Sequence, residues 1–94
     1  MTPDRPALSI ILPMLNEAAG IDGCLQGLVP LRAAGVEVIV VDGGSTDDSV
    51  ALATPLADRV VSAARGRASQ MNAGAAIAHG KVLLFLHADT RLPA

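Results

Sequence analysis

Four short runs rich in β-branched and other apolar residues divide the sequence, at residues 8–12, 36–41, 59–62 and 82–86. Apolar runs that do not alternate with polar residues are typical of strands buried on both faces of a sheet. The segments between the runs carry apolar residues at helical spacing or are rich in alanine. Strand and helix therefore alternate, which predicts an α/β fold with an open parallel sheet of about four strands and helices on both faces.

The helices between the strands are predicted from their start signals. Asn16 is expected to cap the first helix by accepting hydrogen bonds from the amides of its first turn. Ser45 or Thr46 is expected to cap a second, short helix in the same way. An alanine-rich third helix is expected over residues 69–79, after a small basic loop.

Polar residues and glycines follow the predicted strands at their carboxyl ends. Open parallel sheets bind ligands beyond the carboxyl ends of their strands, near the point where the strand order reverses. In chain order, the side chains at this edge that can bind or react are Asn16, Glu17, Asp42, Arg65, Arg67, His87 and Asp89. We therefore expect a ligand site there.

Each of these positions has a functional interpretation and a structural alternative. Asp42 is placed to hold the base or ribose of a nucleotide, or it belongs to a capped helix start in which glycines supply unusual backbone angles. Arg65 and Arg67 precede a helix, where guanidinium groups and free backbone amides together bind phosphate, or they are solvated charges. Gln70 and Asn72 either face the same edge or are exposed amides.

The last predicted strand leads into a candidate metal site. His87 and Asp89 follow a run apolar enough to lie in the centre of the sheet. One carboxylate alone is a weak metal site, but Mg²⁺ or Mn²⁺ bound to a diphosphate takes its remaining oxygen ligands from the phosphates and water. The alternative for Asp89 is a helix or turn cap assisted by Thr90.

Four segments resemble, in order, the motifs of family 2 glycosyltransferases. They are residues 8–13 with Asn16 and Glu17, residues 40–47, residues 71–74 and residues 84–90. Four motifs in order across nearly the whole chain are far more specific than any one of them. The resemblance implies the GT-A fold, a nucleotide-diphosphate sugar as donor, and a divalent metal, Mg or Mn, that bridges the diphosphate.

The resemblance also implies roles for individual residues. Nucleotide-sugar contacts are expected from Pro13, Leu15, Asn16, Glu17, Asp42, Gly43, Arg65, Arg67 and His87. The loop after Pro13 and Asp42 would line the nucleoside, and Arg65 or Arg67 would face the diphosphate. Asp89 would bind the metal as the last residue of the family's Asp-x-Asp motif.

Two positions depart from the family pattern. Gly43 stands where many relatives carry a second consecutive acid that contacts the base, so recognition of the base does not follow from the resemblance. His87 replaces the first acid of Asp-x-Asp, and its imidazole either binds the metal or hydrogen-bonds the ribose or phosphate. The combination of residues 42–45 with residues 87–93 resembles a bacterial subgroup of the family.

The resemblance places the general base and the acceptor site outside this chain. An inverting transfer needs a base that deprotonates the acceptor hydroxyl, and relatives supply it from the second half of the domain. Residues 1–94 are therefore expected to be the donor-binding part of a glycosyltransferase domain truncated at its carboxyl end, with the base beyond Ala94. We expect the isolated chain to be inactive and its full-length parent to transfer a glycosyl group to an unidentified acceptor.

Composition and charge argue against several other classes. The formal net charge is −2 and the chain has no basic run, so a nucleic-acid partner is not expected. A single cysteine, Cys24, excludes an intramolecular disulfide. The short apolar runs predict neither a signal peptide nor a membrane segment in this chain. This indicates a cytoplasmic protein, with membrane association only through a longer parent.

Two rival interpretations exist. The first, a doubly wound dehydrogenase, accounts for the sheet and Asp42 but fails at the first turn, because it needs glycines there and residues 13–17 contain none. The second rival is a catalytically inactive fragment or an oligomerising nucleotide-binding module. An exposed terminal strand is a template for pairing, which would join two copies of the chain in a homodimer.

Overall fold

A parallel sheet of four strands forms the centre of the chain, whose computed structural model describes residues 6–87. The strands are β1 (Leu8–Met14), β2 (Glu37–Asp42), β3 (Arg59–Ser62) and β4 (Val82–Phe85). They lie in the order β3, β2, β1, β4, and each neighbouring pair is parallel. The predicted α/β class and the predicted parallel sheet are confirmed.

Helices cover both faces of this sheet, as predicted. They are α1 (Ile21–Gln26), α2 (Val29–Ala33), α3 (Ser49–Ala53) and α4 (Arg67–Ile77), and a 3-10 helix spans Thr54–Leu56. On one face, Leu25 of α1 and Ala53 of α3 join Leu12 in the core. On the other face, α4 covers Ile39 and Val41. Within residues 6–87, no helix combines the length and the apolar character that crossing a bilayer requires.

β4 forms an edge of the sheet in the described part of the chain. It pairs with β1 on one side, from Val82 opposite Leu8 to Phe85 opposite Ile11. All four of its side chains are exposed, from 37% at Leu83 to 60% at Val82. The prediction that this strand lies in the centre of the sheet is therefore wrong for residues 6–87. The apolar side chains of β4 are typical of a strand buried on both faces, but among the described residues they are exposed.

Asn16 does not cap the first helix. α1 begins at Ile21 after Gly20, and no side chain makes a capping hydrogen bond there. Asn16 has a left-handed backbone with φ of 51°, and its Oδ1 accepts the N–H of Thr46 at 2.8 Å. The cap prediction is wrong because this acceptor is used between two loops rather than along the helix.

Neither Ser45 nor Thr46 caps the short helix, so that prediction is also wrong. α3 begins at Ser49, whose N–H donates to Oδ1 of Asp47 at 3.0 Å. The Ser45 hydroxyl instead donates to Asp42 at 2.5 Å. The polar side chains of this loop therefore hold the loop itself rather than the first turn of a helix.

A hydrogen-bonded cluster around the carboxylate of Glu37 lies at the amino-terminal edge of the sheet, at the opposite end from the predicted site. Glu37 accepts the Ser9 hydroxyl at 2.6 Å and the His79 N–H at 2.8 Å, and the His79 ring lies 2.8 Å from its second oxygen. Ser9 in turn accepts the N–H of Gly80 at 2.8 Å. Partial burial alone would raise the pKa of Glu37, but the hydrogen bonds and charge of its neighbours hold that pKa below the ordinary value of 4.5.

This cluster predicts a loss of stability in acid. A carboxyl whose pKa is lower in the folded state stabilises the fold above its unfolded pKa, and that contribution disappears as the pH falls through the folded pKa. We expect Glu37→Gln to lower the unfolding free energy by about 1 kcal/mol at pH 7, the usual worth of such hydrogen bonds, and by less at pH 3. Urea unfolding at both pH values measures this. Asp22→Asn, at an exposed carboxylate of α1, is the control, and an equal pH dependence in both variants would contradict the prediction.

Candidate functional site

A hollow of about 310 Å³ lies at the carboxyl ends of β1 and β4, beside the start of α4. This is where the strand order reverses, because the chain runs from β1 to β2 and β3 on one side and then crosses to β4 on the other. The hollow is lined by Pro13, Met14, Leu15, Glu17, Arg65, Gly66, Arg67, Gln70 and His87. Its volume is at the lower end of the range for small-molecule sites, which begins at about 300 Å³.

The hollow brings together six of the residues predicted from the sequence, namely Pro13, Leu15, Glu17, Arg65, Arg67 and His87. Three others do not line it: Asp42 ends β2, and Asn16 and Gly43 lie in the adjoining loops. Asp89 falls outside the described residues. Since six side chains from three separate strand ends meet in one place, the ligand edge predicted from the sequence corresponds to a real concavity.

Asp42 is turned into its own loop. Its side chain is 4% exposed. Its Oδ2 accepts the N–H groups of Gly44 at 3.1 Å and of Ser45 at 2.9 Å, and its Oδ1 accepts the Ser45 hydroxyl. Gly44 has φ of 100°, a conformation that glycine adopts without steric cost. The described geometry gives Asp42 the role of shaping the loop that follows β2.

Further hydrogen bonds join the loop after β1 to the loop after β2. The N–H of Asn16 donates to the Ser45 hydroxyl at 2.8 Å, while Asn16 Oδ1 accepts the N–H of Thr46 at the same distance. The N–H of Glu17 donates to the Ser49 hydroxyl at 2.7 Å. These bonds fix the backbone that carries Leu15 and Glu17 into the hollow. Asn16 therefore supports the site from outside its lining.

Asp47 completes this link between the loops. Its Oδ1 accepts the hydroxyl and the N–H of Ser49, and its Oδ2 accepts the N–H of Ala18 at 3.1 Å. The hydrogen bond from the Ser49 hydroxyl is the main cause that lowers the pKa of Asp47 below its ordinary value of 3.8. The carboxylate therefore stays ionised and bonded near neutral pH.

The positive charge of the hollow comes from the segment between β3 and α4. Arg65 and Arg67 flank Gly66, whose φ of 138° requires a glycine, and α4 begins at Arg67. Both arginines are exposed. Guanidinium groups beside the free amides of a helix amino terminus are well suited to an anion such as phosphate. Glu17 is the acidic member of the lining, so cationic groups outnumber acidic ones there.

Arg67 and His87 lie in contact within this hollow. Two nitrogens of the Arg67 guanidinium are each 2.9 Å from a ring nitrogen of His87. A neutral imidazole has one ring nitrogen that accepts a hydrogen bond, so only one of the two approaches is a hydrogen bond from Arg67. The contact places a cation against both nitrogens that His87 would use to bind a metal.

Gln70 is the functional candidate that sequence reasoning left undecided between an edge residue and an exposed amide. It lines the hollow yet is only 5% exposed. Its Nε2 donates to the carbonyl of Met14 at 3.0 Å and to that of Val41 at 2.8 Å. Gln70, Gly74 and Ile77 are spaced as one face of a helix, a signal that would have placed the glutamine against the sheet.

The described residues do not by themselves form a metal centre. Among residues 6–87, no group of three or more His, Cys, Asp or Glu side chains is arranged to hold an ion. Asp89, the predicted ligand, lies outside this range, and His87 contacts Arg67.

The sequence matches the family described as Glycosyl transferase family 2 over residues 9–94. A PGL/p-HBAD biosynthesis glycosyltransferase from Mycobacterium bovis is 37% identical, over 93% of this chain and 37% of that protein. The chain thus spans about a third of the length of the curated relatives it matches.

The fold is also similar to those of solved glycosyltransferase structures. The chain is similar to a mannosyltransferase from Pyrobaculum calidifontis in complex with GDP-Man and Mn²⁺, with a TM-score of 0.83, 30% identity, and coverage of 96% of this chain and 29% of that one. It is also similar to glucosyl-3-phosphoglycerate synthase from Mycobacterium tuberculosis in complex with Mn²⁺, UDP and glucosyl-3-phosphoglycerate. That match has a TM-score of 0.79, 32% identity, and coverage of 90% and 34%.

Proposed function

The chain belongs to glycosyl transferase family 2, and from this premise we propose that its hollow holds the nucleoside diphosphate of a sugar donor. The observation that carries the proposal is the meeting of Arg65, Arg67 and the amino terminus of α4 at the point where the strand order reverses. This arrangement supplies positive charge and free backbone amides to a diphosphate.

Each part of the donor has a matching part of the site in this proposal. The nucleoside lies against Pro13, Leu15 and Glu17, and the diphosphate lies at Arg65 and Arg67. His87 contacts the phosphate or ribose through the ring that also meets Arg67. The supporting observation is that all of these residues line the same hollow.

Asp42, Gly43 and Asn16 act through the loops in this proposal. Asp42 and Asn16 hold the loops after β2 and β1 by hydrogen bonds, and Gly43 lies against the side chain of Gln70. Direct contact of these three residues with the nucleotide stays a prediction from the sequence. Measurements on Asp42 variants separate the two roles.

The proposed cofactor is a divalent metal, Mn²⁺ or Mg²⁺, held by Asp89 together with diphosphate oxygens. The two solved relatives with 30% and 32% identity were crystallised with Mn²⁺ and GDP-Man or UDP, which supports this assignment. Bound to the phosphates, such an ion neutralises charge that develops on the leaving group.

The proposed reaction is transfer of a sugar from the nucleotide diphosphate to the hydroxyl of an acceptor. Residues 1–94 form its donor-binding part, and the general base and the acceptor site belong to a longer protein. Support comes from the coverage of relatives, since the chain aligns with 29% to 37% of their lengths. The isolated chain is therefore expected to bind the donor without turning it over.

The exposed edge of β4 favours one further proposal. Among residues 6–87 nothing pairs with its outer side, and its apolar side chains and backbone groups would pair there with a second copy of the chain, which the sedimentation coefficient of the isolated chain would reveal. A cytoplasmic location, with membrane association of a longer parent, stays a prediction from the sequence that cell fractionation would test. A bacterial source also stays a prediction from the sequence.

Calorimetric titration with UDP and GDP, with and without Mn²⁺, tests the proposed function. We expect the chain to bind at least one of them, and Arg67→Met to weaken that binding by about 10-fold or more, as loss of a charged hydrogen bond does. The same substitution at Arg59, exposed at the start of β3, is the control. Failure of the wild-type chain to bind either nucleotide, or equal weakening by both substitutions, would overturn the proposal.

A further inference from the structure

The amide of Gln70 connects three parts of the site. Its Oε1 accepts the N–H of Gly66 at 3.2 Å, and its Nε2 donates to the carbonyls of Met14 and Val41 at 3.0 and 2.8 Å. Gly66 belongs to the loop before α4, Met14 ends β1, and Val41 lies next to the end of β2. A buried amide that uses its acceptor and both donors holds one orientation, since any rotation leaves polar groups unpaired.

Both backbone polar groups of Gly66 form hydrogen bonds with Gln70. Its N–H donates to the Gln70 side chain, and its carbonyl accepts the Gln70 backbone N–H at 2.9 Å. With φ of 138°, Gly66 occupies a region that only glycine enters freely, and glycine is also the residue that loses most freedom on ordering. The pair of hydrogen bonds therefore selects one backbone conformation for the segment that carries Arg65 and Arg67.

Gly43 is packed against the same amide. A Cβ at residue 43 would lie 2.8 Å from Gln70 Oε1 and 2.9 Å from its Cδ. The N–H of Gly43 donates at 2.9 Å to the carbonyl of Met14, which also accepts from Gln70. Position 43 therefore has no room for a side chain while Gln70 keeps its hydrogen bonds.

We propose that Gln70 is a positioning residue for the diphosphate: it fixes the loop of Arg65 and Arg67 relative to the carboxyl ends of β1 and β2, and it requires glycine at position 43. This inference rests on the proposed function for its ligand. Its physical basis is preorganisation, because an ordered loop loses less conformational freedom when the diphosphate binds. Gln70 itself needs no contact with the nucleotide.

NMR titration of the 94-residue chain with UDP and uridine, and with GDP and guanosine, in the presence of Mg²⁺ tests the selectivity of this effect. Gln70→Met keeps the length of the side chain but removes its hydrogen bonds. We expect the affinity for the diphosphate to fall about 10-fold and that for the nucleoside to stay within about 2-fold, because only the phosphate contacts depend on the loop. Gln26→Met, at an exposed residue of α1, should change neither. Equal losses for diphosphate and nucleoside, or no loss, would overturn the proposal.

Gly43→Ala supplies a second variant that leaves Gln70 in place but displaces its amide. It should show the same selective loss of diphosphate affinity and a lower urea midpoint. In a Gln70→Ala background, the added methyl fills vacated space, so Gly43→Ala should then lower the midpoint much less. Additive effects of the two substitutions would show that Gly43 and Gln70 are independent and would refute the coupling.

Hydrogen exchange separates failure of this inference from failure of the proposed function. If the wild-type chain binds none of the nucleotides, the proposed function fails, and the diphosphate role of Gln70 fails with it. Even then, the exchange rate of the Gly66 N–H tests whether Gln70 positions the loop. That amide should exchange at least about 10-fold faster in Gln70→Met and unchanged in Gln26→Met, because exchange reports local opening. Equal exchange in wild type and Gln70→Met refutes the positioning even where nucleotides bind.

Discussion

Gly74→Leu is expected to lower the unfolding free energy by about 3 kcal/mol, the upper part of the usual range for an overpacked core. A Cβ at this position would lie 2.5 Å from Cγ2 of Ile11 and 3.0 Å from Cγ2 of Val41. Both side chains are buried in the sheet, so neither can move away without disturbing the strands. Leucine adds three more carbons in the same direction.

A glycine in the middle of a helix costs about 1 kcal/mol relative to alanine, so its presence in α4 needs a compensating contact. The close approach of α4 to β1 and β2 provides that contact, and it also brings the amide of Gln70, one turn earlier, to the carbonyls at the strand ends. Gly74→Leu should therefore weaken nucleotide binding as well as folding.

Urea unfolding followed by circular dichroism measures the effect, with Ala76→Leu at an exposed position of the same helix as the control. Leucine and alanine have similar helix propensities, so the control should change the unfolding free energy little. If Gly74→Leu were as stable as Ala76→Leu, α4 would be free to move off the sheet, and its close packing would not be what holds Gln70 at the strand ends.

The strands were predictable because their signals are local. β3 occupies the predicted residues, and each of the other strands ends within two residues of its prediction. Pro13 follows the predicted apolar run of residues 8–12 but lies inside β1. The carbonyl of Ile11 accepts the N–H of Leu86, so alternate residues of β1 turn their backbone toward β4, and Pro13 lies past the end of that strand. Its missing N–H therefore costs no hydrogen bond of the sheet.

The helix starts were not predictable because their polar residues act at long range. Asn16 bonds Thr46, which is 30 residues away in the sequence. A local window identifies an acceptor in front of an apolar segment but cannot show that the acceptor is used elsewhere. The same limit applies to Gln70, whose two carbonyl partners lie 56 and 29 residues away.

The location of the hollow followed from topology, and the roles of the residues around it did not. Parallel strands share one carboxyl edge, so residues that follow them must lie together, and Arg65, Arg67 and His87 do. Topology does not say whether a side chain at that edge faces the ligand or its own loop. Asp42 faces its own loop, because three donors of residues 44 and 45 surround its carboxylate.

Asp42→Ala is accordingly expected to lower both the unfolding free energy, by about 3 kcal/mol, and the affinity for nucleoside diphosphates, by about 100-fold. Hydrogen bonds to an ionised group contribute about 1.5–3 kcal/mol each, and part of the three is regained through water. Ser45 loses its acceptor and with it the fixed position from which it binds the N–H of Asn16. The link between the loops after β1 and β2 is then weakened, and the backbone of Leu15 and Glu17 loses part of its support.

Calorimetry with UDP and GDP, urea unfolding, and hydrogen exchange of residues 43–49 together distinguish the two roles of Asp42. Asp48→Ala, at an exposed carboxylate of the same loop that caps no helix through its side chain, is the matched control. Faster exchange and lower stability together with weaker binding would establish Asp42 as a support of the loop. Weaker binding with unchanged stability and exchange would instead make it a direct contact of the nucleoside, as the sequence resemblance implies. Binding equal to that of Asp48→Ala would exclude both roles.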